Sequence, residues 1–113
     1  MFTQREYTEA LLPLAEKLSC VIQDKFPCAE VRLFGSVAAG KADAGSDIDL
    51  AVFLPQVGDV YARAKKAAEV RLALLDFMAL APIDILVFNK EDLLIPEERR
   101  SYLLGEVLKH GSQ

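Results

Sequence analysis

The sequence is poor in residues on which several classes of catalytic and metal site depend. It has no tryptophan, one histidine and two cysteines among 113 residues. Because His110, near the C-terminus, is the only histidine, we do not expect a Ser-His-Asp set. Two thiols and one histidine do not make a zinc ligand set. We expect Cys20 and Cys28 to be unpaired, with Cys20 packed as a small apolar group.

The chain also lacks a basic excess and a long apolar run. Its net charge is −4, whereas a protein that grips nucleic acid through phosphates needs a basic face. We therefore do not expect nucleic acid as a partner. No stretch reaches the roughly 20 apolar residues of a membrane span, and the first residues do not follow the order of a signal peptide. We expect a cytoplasmic protein without membrane association.

The composition, with 52% hydrophobic and 27% charged residues, is typical of a globular chain, and its length fits one domain over residues 1–113. Thr3 and Glu6 form the pattern of a capping box. Pro13 predicts a kink or a short first helix, followed by a helix over residues 13–26. Further elements follow from periodicity and breakers: strands over 30–34, 47–54 and 83–88, a helical turn over 36–39, and helices over 59–80 and 97–109. The predicted buried face of the 59–80 helix comprises Val60, Ala64, Ala67, Val70, Leu74 and Phe77.

This order predicts an α/β (α+β) fold with a small three-stranded mixed sheet flanked by helices. Two of its strands contain aspartates, which are poor strand residues. Asp47 and Asp49 are separated by one residue, so the period of a strand places both on one face. Asp84 interrupts the apolar third strand. Neighbouring carboxylates repel each other, and Mg²⁺ is their natural compensation.

If the third strand pairs beside the second, Asp47, Asp49 and Asp84 converge. Three acids around two metal ions are suited to phosphoryl transfer. The structural alternatives are a strand-start cap and a solvated acid for the first two residues, and an edge-strand acid or a helix-capping partner for Asp84. Gly35 and Ser36 end the first strand, where a turn presents N–H groups and a hydroxyl to an anion.

These motifs carry a family resemblance. Gly35-Ser36, ten intervening residues and Asp47-Ile48-Asp49 resemble the GSx10DxD signature of the DNA polymerase β-like nucleotidyltransferase superfamily. The surrounding LFGSVAAGKADAGSDIDLAVF is similar to its smallest members, the MNT-domain (minimal nucleotidyltransferase) proteins. The resemblance implies that the three acids, Asp47, Asp49 and Asp84, bind metal and that Gly35 and Ser36 bind the triphosphate.

The chain departs from the family pattern at one position. Ala39 stands where many MNT proteins carry an arginine, in a GSxARG-like run. Lys41 either replaces that phosphate contact or is a solvated loop lysine. Four cations of the 59–80 helix form either a solvated face, which we favour, or a phosphate clamp: Arg63, Lys65, Lys66 and Arg71.

The resemblance implies a Mg²⁺-dependent nucleotidyltransferase, with two ions and ATP as substrate, that moves AMP onto a hydroxyl. Similar proteins commonly pair with HEPN-domain toxins as antitoxins and modify a partner tyrosine, so a HEPN-domain protein is the expected partner in a hetero-oligomer. The alternatives are a non-catalytic module that neutralises or scaffolds a partner by contact, and a transferase with a separate subunit for a small-molecule or nucleic-acid acceptor. Tyr102, Leu103 and Val107 of the last helix form either docking surface or core.

Overall fold

A three-stranded mixed sheet organises the fold of the chain. The computed structural model describes residues 2–110. The central strand β2 pairs antiparallel with β1 and parallel with β3, which confirms the predicted α+β fold. The elements are α1 (Gln4–Lys25), β1 (Glu30–Phe34), α2 (Gly35–Ala38), β2 (Ile48–Leu54), α3 (Val60–Ala73), β3 (Ile83–Asn89) and α4 (Tyr102–His110), with 3-10 turns at Leu75–Phe77, Lys90–Leu94 and Glu97–Arg99.

Both faces of β2 are covered, which explains why this strand is almost continuously apolar. On one face, Leu50 and its neighbours pack in a cluster with side chains of α1 and α3. On the other face, Ala51 and Phe53 pack against Leu104 and Val107 of α4. The central strand is therefore held from both sides. None of the helices in residues 2–110 is long and apolar enough to cross a membrane.

The first helix is longer than the sequence indicates. The capping box at Thr3 and Glu6 is present, but α1 continues through Pro13, so the separate short helix is wrong. One proline removes a single helical hydrogen bond, and the buried side chains of α1 stabilise the turns on both sides of it. Cys20 and Cys28 are free thiols, as expected, but Cys20 is exposed. It lies about 200° around the helix from the buried Leu18, since each residue advances by about 100°.

The last two α-helices, α3 and α4, are shorter than predicted. The α-helical part of α3 ends at Ala73, and Val60 and Ala64, predicted to be buried, are exposed. Both line the open side of β3 instead of the core. The last helix starts only at Tyr102, because the extended backbone at Arg100 separates it from the preceding 3-10 turn.

The alternatives for the last helix are also resolved. The hydroxyl of Ser101 accepts a hydrogen bond from the backbone N–H of Leu104, as an N-cap residue does. Val107 is core, whereas Tyr102 and Leu103 are exposed, with relative accessibilities of 85% and 46%. Of the three residues, Tyr102 and Leu103 are therefore the ones available as docking surface.

One long-range hydrogen bond ties the loop between α2 and β2 to α1. The Thr8 hydroxyl accepts from the buried backbone N–H of Ala42 over 3.2 Å and donates to the Gln4 carbonyl. Thr8 is the buried polar residue of the described core. Because an unsatisfied buried N–H is costly, this bond fixes the loop that leads to Asp47.

We predict that Thr8→Val lowers the free energy of unfolding by about 1–2 kcal/mol, because the Ala42 N–H loses its partner while the side-chain volume is kept. Urea denaturation measures this change. Thr8→Ser keeps the hydroxyl and serves as the matched control. Equal losses in both variants would show that the methyl group, not the hydrogen bond, matters at this position.

Candidate functional site

The main chain of Gly35 lies directly against the side chain of Asp49. A β-carbon at position 35 would be 3.0 Å from Asp49 Cγ and would overlap Oδ2. Gly35 also has φ +75°, a conformation that side chains disfavour. Both facts require glycine at the point where β1 ends and α2 begins. The predicted Gly35-Ser36 turn and the second acid of the motif are therefore in direct contact.

Asp49 and Asp84 lie opposite each other in the sheet. They are register partners in the parallel pair β2–β3, and such strands are about 4.8 Å apart. Their sequence neighbours Leu50 and Ile85 point into the cluster formed with α1 and α3. Because side chains alternate along a strand, both aspartates lie on the opposite face, which is the α4 face of the sheet.

Asp47 lies one residue before β2 rather than within it, so the predicted strand start at 47 is one residue early. A tight loop precedes it. The Asp43 carboxylate accepts hydrogen bonds from the Gly45 N–H and the Ser46 hydroxyl, and Ser46 Oγ accepts from the Asp43 N–H. Asp47 itself is exposed, whereas Asp49 is half-buried.

The charges of the other two acids act on Asp49. Burial, and then the negative charges of Asp84 and Asp47, raise the pKa of Asp49 to about 6. A carboxylate that is desolvated beside two like charges is stabilised by a cation. The donor set, all carboxylate oxygens, fits the preference of Mg²⁺.

The acids do not form a finished metal cage. Within residues 2–110, no three side chains of the ligating types are gathered closely enough to hold an ion as they stand. Asp84 Oδ1 instead lies 3.9 Å from Arg71 Nη2, with both side chains about half exposed. An exposed contact of this length contributes at most about 1 kcal/mol, so a cation can displace it at small cost.

A cleft of about 390 Å³ opens beside the Gly35-Ser36 turn at the end of β1. This size lies within the range of small-molecule sites. Its lining includes Gly35, Ser36 and Lys41, the three residues predicted to bind the nucleotide, and also Ala39. The structure thus places Lys41 beside the Gly-Ser turn, while its contact with phosphate stays a prediction. Ala39 adds no charge to the cleft.

Sequence reasoning missed two contacts at the site. Glu106 of α4 lines the cleft beside Gly35, and Arg71 of α3 contacts Asp84. The preferred interpretation of the α3 cations as a solvated face agrees with the exposed Arg71 and Lys65. It does not describe Arg63, whose Nε is buried in a groove along β3. No local pattern signals these contacts, because they arise from how helices pack around the sheet.

Comparisons with known proteins agree with this geometry. A family model described as nucleotidyltransferase domain matches residues 15–110. No curated protein sequence matches the chain. A crystal structure of a toxin–antitoxin with AMP-PNP is 27% identical, with 88% of this chain and 70% of that chain covered and a TM-score of 0.54. A mutant of the toxin–antitoxin MntA-HpeT is 26% identical, with coverages of 87% and 68% and a TM-score of 0.51. The structure of a minimal nucleotidyltransferase is 24% identical, with 94% of this chain and 94% of that chain covered and a TM-score of 0.51, and it supports the fold.

We predict that Gly35→Ala destabilises the protein more than Gly40→Ala does. Both glycines have nearly the same backbone angle, +75° and +74°, but a β-carbon at Gly40 meets nothing within 4 Å. Gly40→Ala therefore measures the backbone strain alone, about 1 kcal/mol. Gly35→Ala adds the collision with Asp49. Equal unfolding free energies for the two variants in urea would contradict the close approach.

We predict that the metal-free protein loses stability as the pH rises from about 4 to about 6. The pKa of Asp49 is raised from 3.8 to about 6, so the folded state binds more protons in this range and stability falls with increasing pH. Asp49→Asn removes this loss and is more stable than wild type at pH 7.5, by about 1–2 kcal/mol after allowance for solvent screening.

Thermal and urea unfolding in EDTA across pH 4–8 measures this difference. Asp24→Asn, at an exposed acid of α1, is the control and should leave the pH profile unchanged. If Asp49→Asn were instead less stable than wild type at pH 7.5, the Asp49 carboxylate would have a structural role.

Proposed function

The chain belongs to the nucleotidyltransferase domain family, and we propose that it is a Mg²⁺-dependent enzyme that transfers AMP from ATP to a hydroxyl of a partner protein. The observation that carries this proposal is the contact between the Gly35 main chain and Asp49, with Asp84 in register on the next strand. A phosphate-binding turn and the acids of a metal site are thereby joined at one end of the sheet.

In this proposal the triphosphate occupies the cleft beside the Gly-Ser turn. Glycine lets phosphate approach the main chain closely, and the Ser36 hydroxyl and nearby N–H groups donate hydrogen bonds to it. Lys41 neutralises part of the phosphate charge from the cleft wall. These contacts orient the α-phosphorus toward the acids.

Asp47, Asp49 and Asp84 would hold Mg²⁺, with two ions as the expected number. Bound Mg²⁺ supplies charge neutralisation for the reacting phosphate and for the departing pyrophosphate. The protein contributes position: β2 and β3 carry two of the aspartates in register, and the hydrogen-bonded loop 43–46 leads into the third.

The reaction is a single displacement at phosphorus. The acceptor oxygen forms a bond to the α-phosphorus while the bond from that phosphorus to the bridging oxygen of pyrophosphate breaks. Pyrophosphate leaves with the bonding electrons, and the hydroxyl proton passes to water. Catalysis of this kind depends mainly on positioning and electrostatics.

We further propose that the acceptor belongs to a HEPN-domain toxin, and that the chain acts as its antitoxin in the cytoplasm. Two similar structures are of toxin–antitoxins, and one of them was crystallised with AMP-PNP.

A second candidate is neutralisation of the partner by contact alone. Ala39 favours it, because a cleft wall without the usual arginine binds phosphate more weakly. The open arrangement of the acids, with Asp84 turned to Arg71, also agrees with a site that is not used. The two candidates differ in whether AMP is transferred.

We predict that the purified chain, mixed with its HEPN partner, Mg²⁺ and ATP, labels the partner from α-³²P-ATP but not from γ-³²P-ATP. Asp47→Ala should reduce labelling at least about a hundredfold, since it removes a metal ligand without disturbing the core. The control Asp24→Ala should label the partner like wild type. A Tyr→Phe series in the partner then identifies the acceptor.

Label from the γ position would identify a kinase and contradict the proposal. Inhibition of the partner by Asp47→Ala, without label in either variant, would support neutralisation by contact. Mg²⁺ and ATP together should also raise the melting temperature of wild type but not of Asp47→Ala, through linkage.

A further inference from the structure

The strand that carries Asp84 lies at the edge of the sheet. Within the described chain, β3 pairs with β2 on one side only, so its other side presents unpaired backbone groups. Proteins usually protect such edges with Lys, Pro or bulges. β3 has one charged residue, Asp84, at its start, and neither Lys nor Pro in its seven residues, Ile83-Asp84-Ile85-Leu86-Val87-Phe88-Asn89; its register with β2 is continuous, without a bulge. Its open side is therefore suited to an added strand.

A groove of about 360 Å³ runs along this edge between α3 and Leu103 of α4. We call it the edge groove. Its floor is the apolar run from Ile85 to Phe88, and α3 forms one wall with Ala64, Arg63 and Arg71. An apolar floor and unpaired backbone groups favour an extended polypeptide over a nucleotide or a sugar.

The charges of the edge groove are basic, in contrast to the net charge of the chain. Arg63 Nε is buried and has no hydrogen-bond partner among the described residues. A buried guanidinium N–H without an acceptor is costly, and its natural partner is a carboxylate. The groove is therefore complementary to an acidic segment.

The position of the groove also fits the chemistry. The sheet order β1-β2-β3 puts the Gly-Ser cleft on one side of Asp49 and the edge groove on the other, beyond Asp84. In-line displacement requires the attacking and leaving oxygens on opposite sides of the phosphorus. When a nucleotide occupies the cleft, the β3 side of the phosphorus therefore stays open to the acceptor.

We infer that the edge groove binds an extended, acidic segment of the partner protein as a fourth strand and delivers its acceptor hydroxyl to Asp84. This inference rests on the proposed function. Arg71, which contacts Asp84, and Arg63 lie on the same helix at a separation of about 12 Å along its axis. That distance equals about four residues of a strand. The segment therefore carries a carboxylate about four residues from its acceptor hydroxyl.

The first test uses a synthetic nine-residue peptide of threonine and valine with one tyrosine and one glutamate four residues apart. It is prepared in both sequence orders, because an added strand can run parallel or antiparallel to β3, and the order that binds more tightly is used below. Hydrogen exchange of the β3 amides and fluorescence anisotropy measure its binding. We expect the peptide to protect amides of β3 and to bind at least about tenfold more tightly than the same peptide with lysine in place of glutamate.

Two pairs of variants on α3 provide matched controls. Ala64→Arg fills the edge groove and should abolish binding, whereas Ala68→Arg, at an exposed position outside the groove lining, should not. Arg63→Glu should weaken binding of the glutamate peptide at least about tenfold and favour the lysine peptide, while Lys65→Glu should change neither. Circular dichroism confirms that each variant is folded.

Equal binding of both peptides, no protection of β3, or equal effects of Ala64→Arg and Ala68→Arg would overturn the inference. So would a dimer of the chain that only Ala64→Arg dissociates, because a second copy would then occupy the groove. The melting shift with Mg²⁺ and ATP is measured on the same samples. Peptide binding without that shift would refute the proposed function and leave the groove assignment standing, whereas the shift without peptide binding would do the reverse.

Discussion

The approach of the Gly35 main chain to the Asp49 carboxylate is the constraint on which the site depends. Any side chain at position 35 would occupy the place of the carboxylate. The turn at the end of β1 can therefore pass over β2 only if residue 35 is glycine. The contact sets the distance between the turn that offers N–H donors and the strand that offers acids. The contact covers one side of Asp49, and burial is the largest cause of the raised pKa of this residue.

This arrangement is unfavourable for stability when no cation is present. Asp49 is partly desolvated and lies near the charges of two further aspartates. The remainder of the fold offsets this cost through the two apolar clusters that cover β2, with Leu50 and Phe53 fully buried on opposite faces. A local conflict of this kind, set in an otherwise consistent fold, is typical of functional sites.

Local patterns predicted the strands, the acids and the Gly-Ser turn, because alternation and glycine requirements are encoded in neighbouring residues. They failed where tertiary contacts decide: α1 continues through Pro13, and Ser101 starts the last helix after a break that composition does not signal. Helix periodicity predicted that Val60 is buried. Val60 is exposed because the first turn of α3 lies along the edge of the sheet. The Arg71–Asp84 contact likewise depends on helix packing. The placement of Asp84 opposite Asp49 required the register of β2 and β3, which a parallel crossover leaves open in sequence.

The three acids differ in how firmly the fold holds them, and the difference follows from sheet order. Asp49 is in the central strand and is fixed by neighbours on both sides. Asp84 is on the edge strand, half exposed, and is engaged with Arg71 over a distance that contributes little energy. Because Asp84 can reorient at small cost, β3 is a strand at which the proposed metal site can be completed. The same edge is open to a partner, so an occupant there would contact Arg71 and thereby influence whether Asp84 is available to a cation.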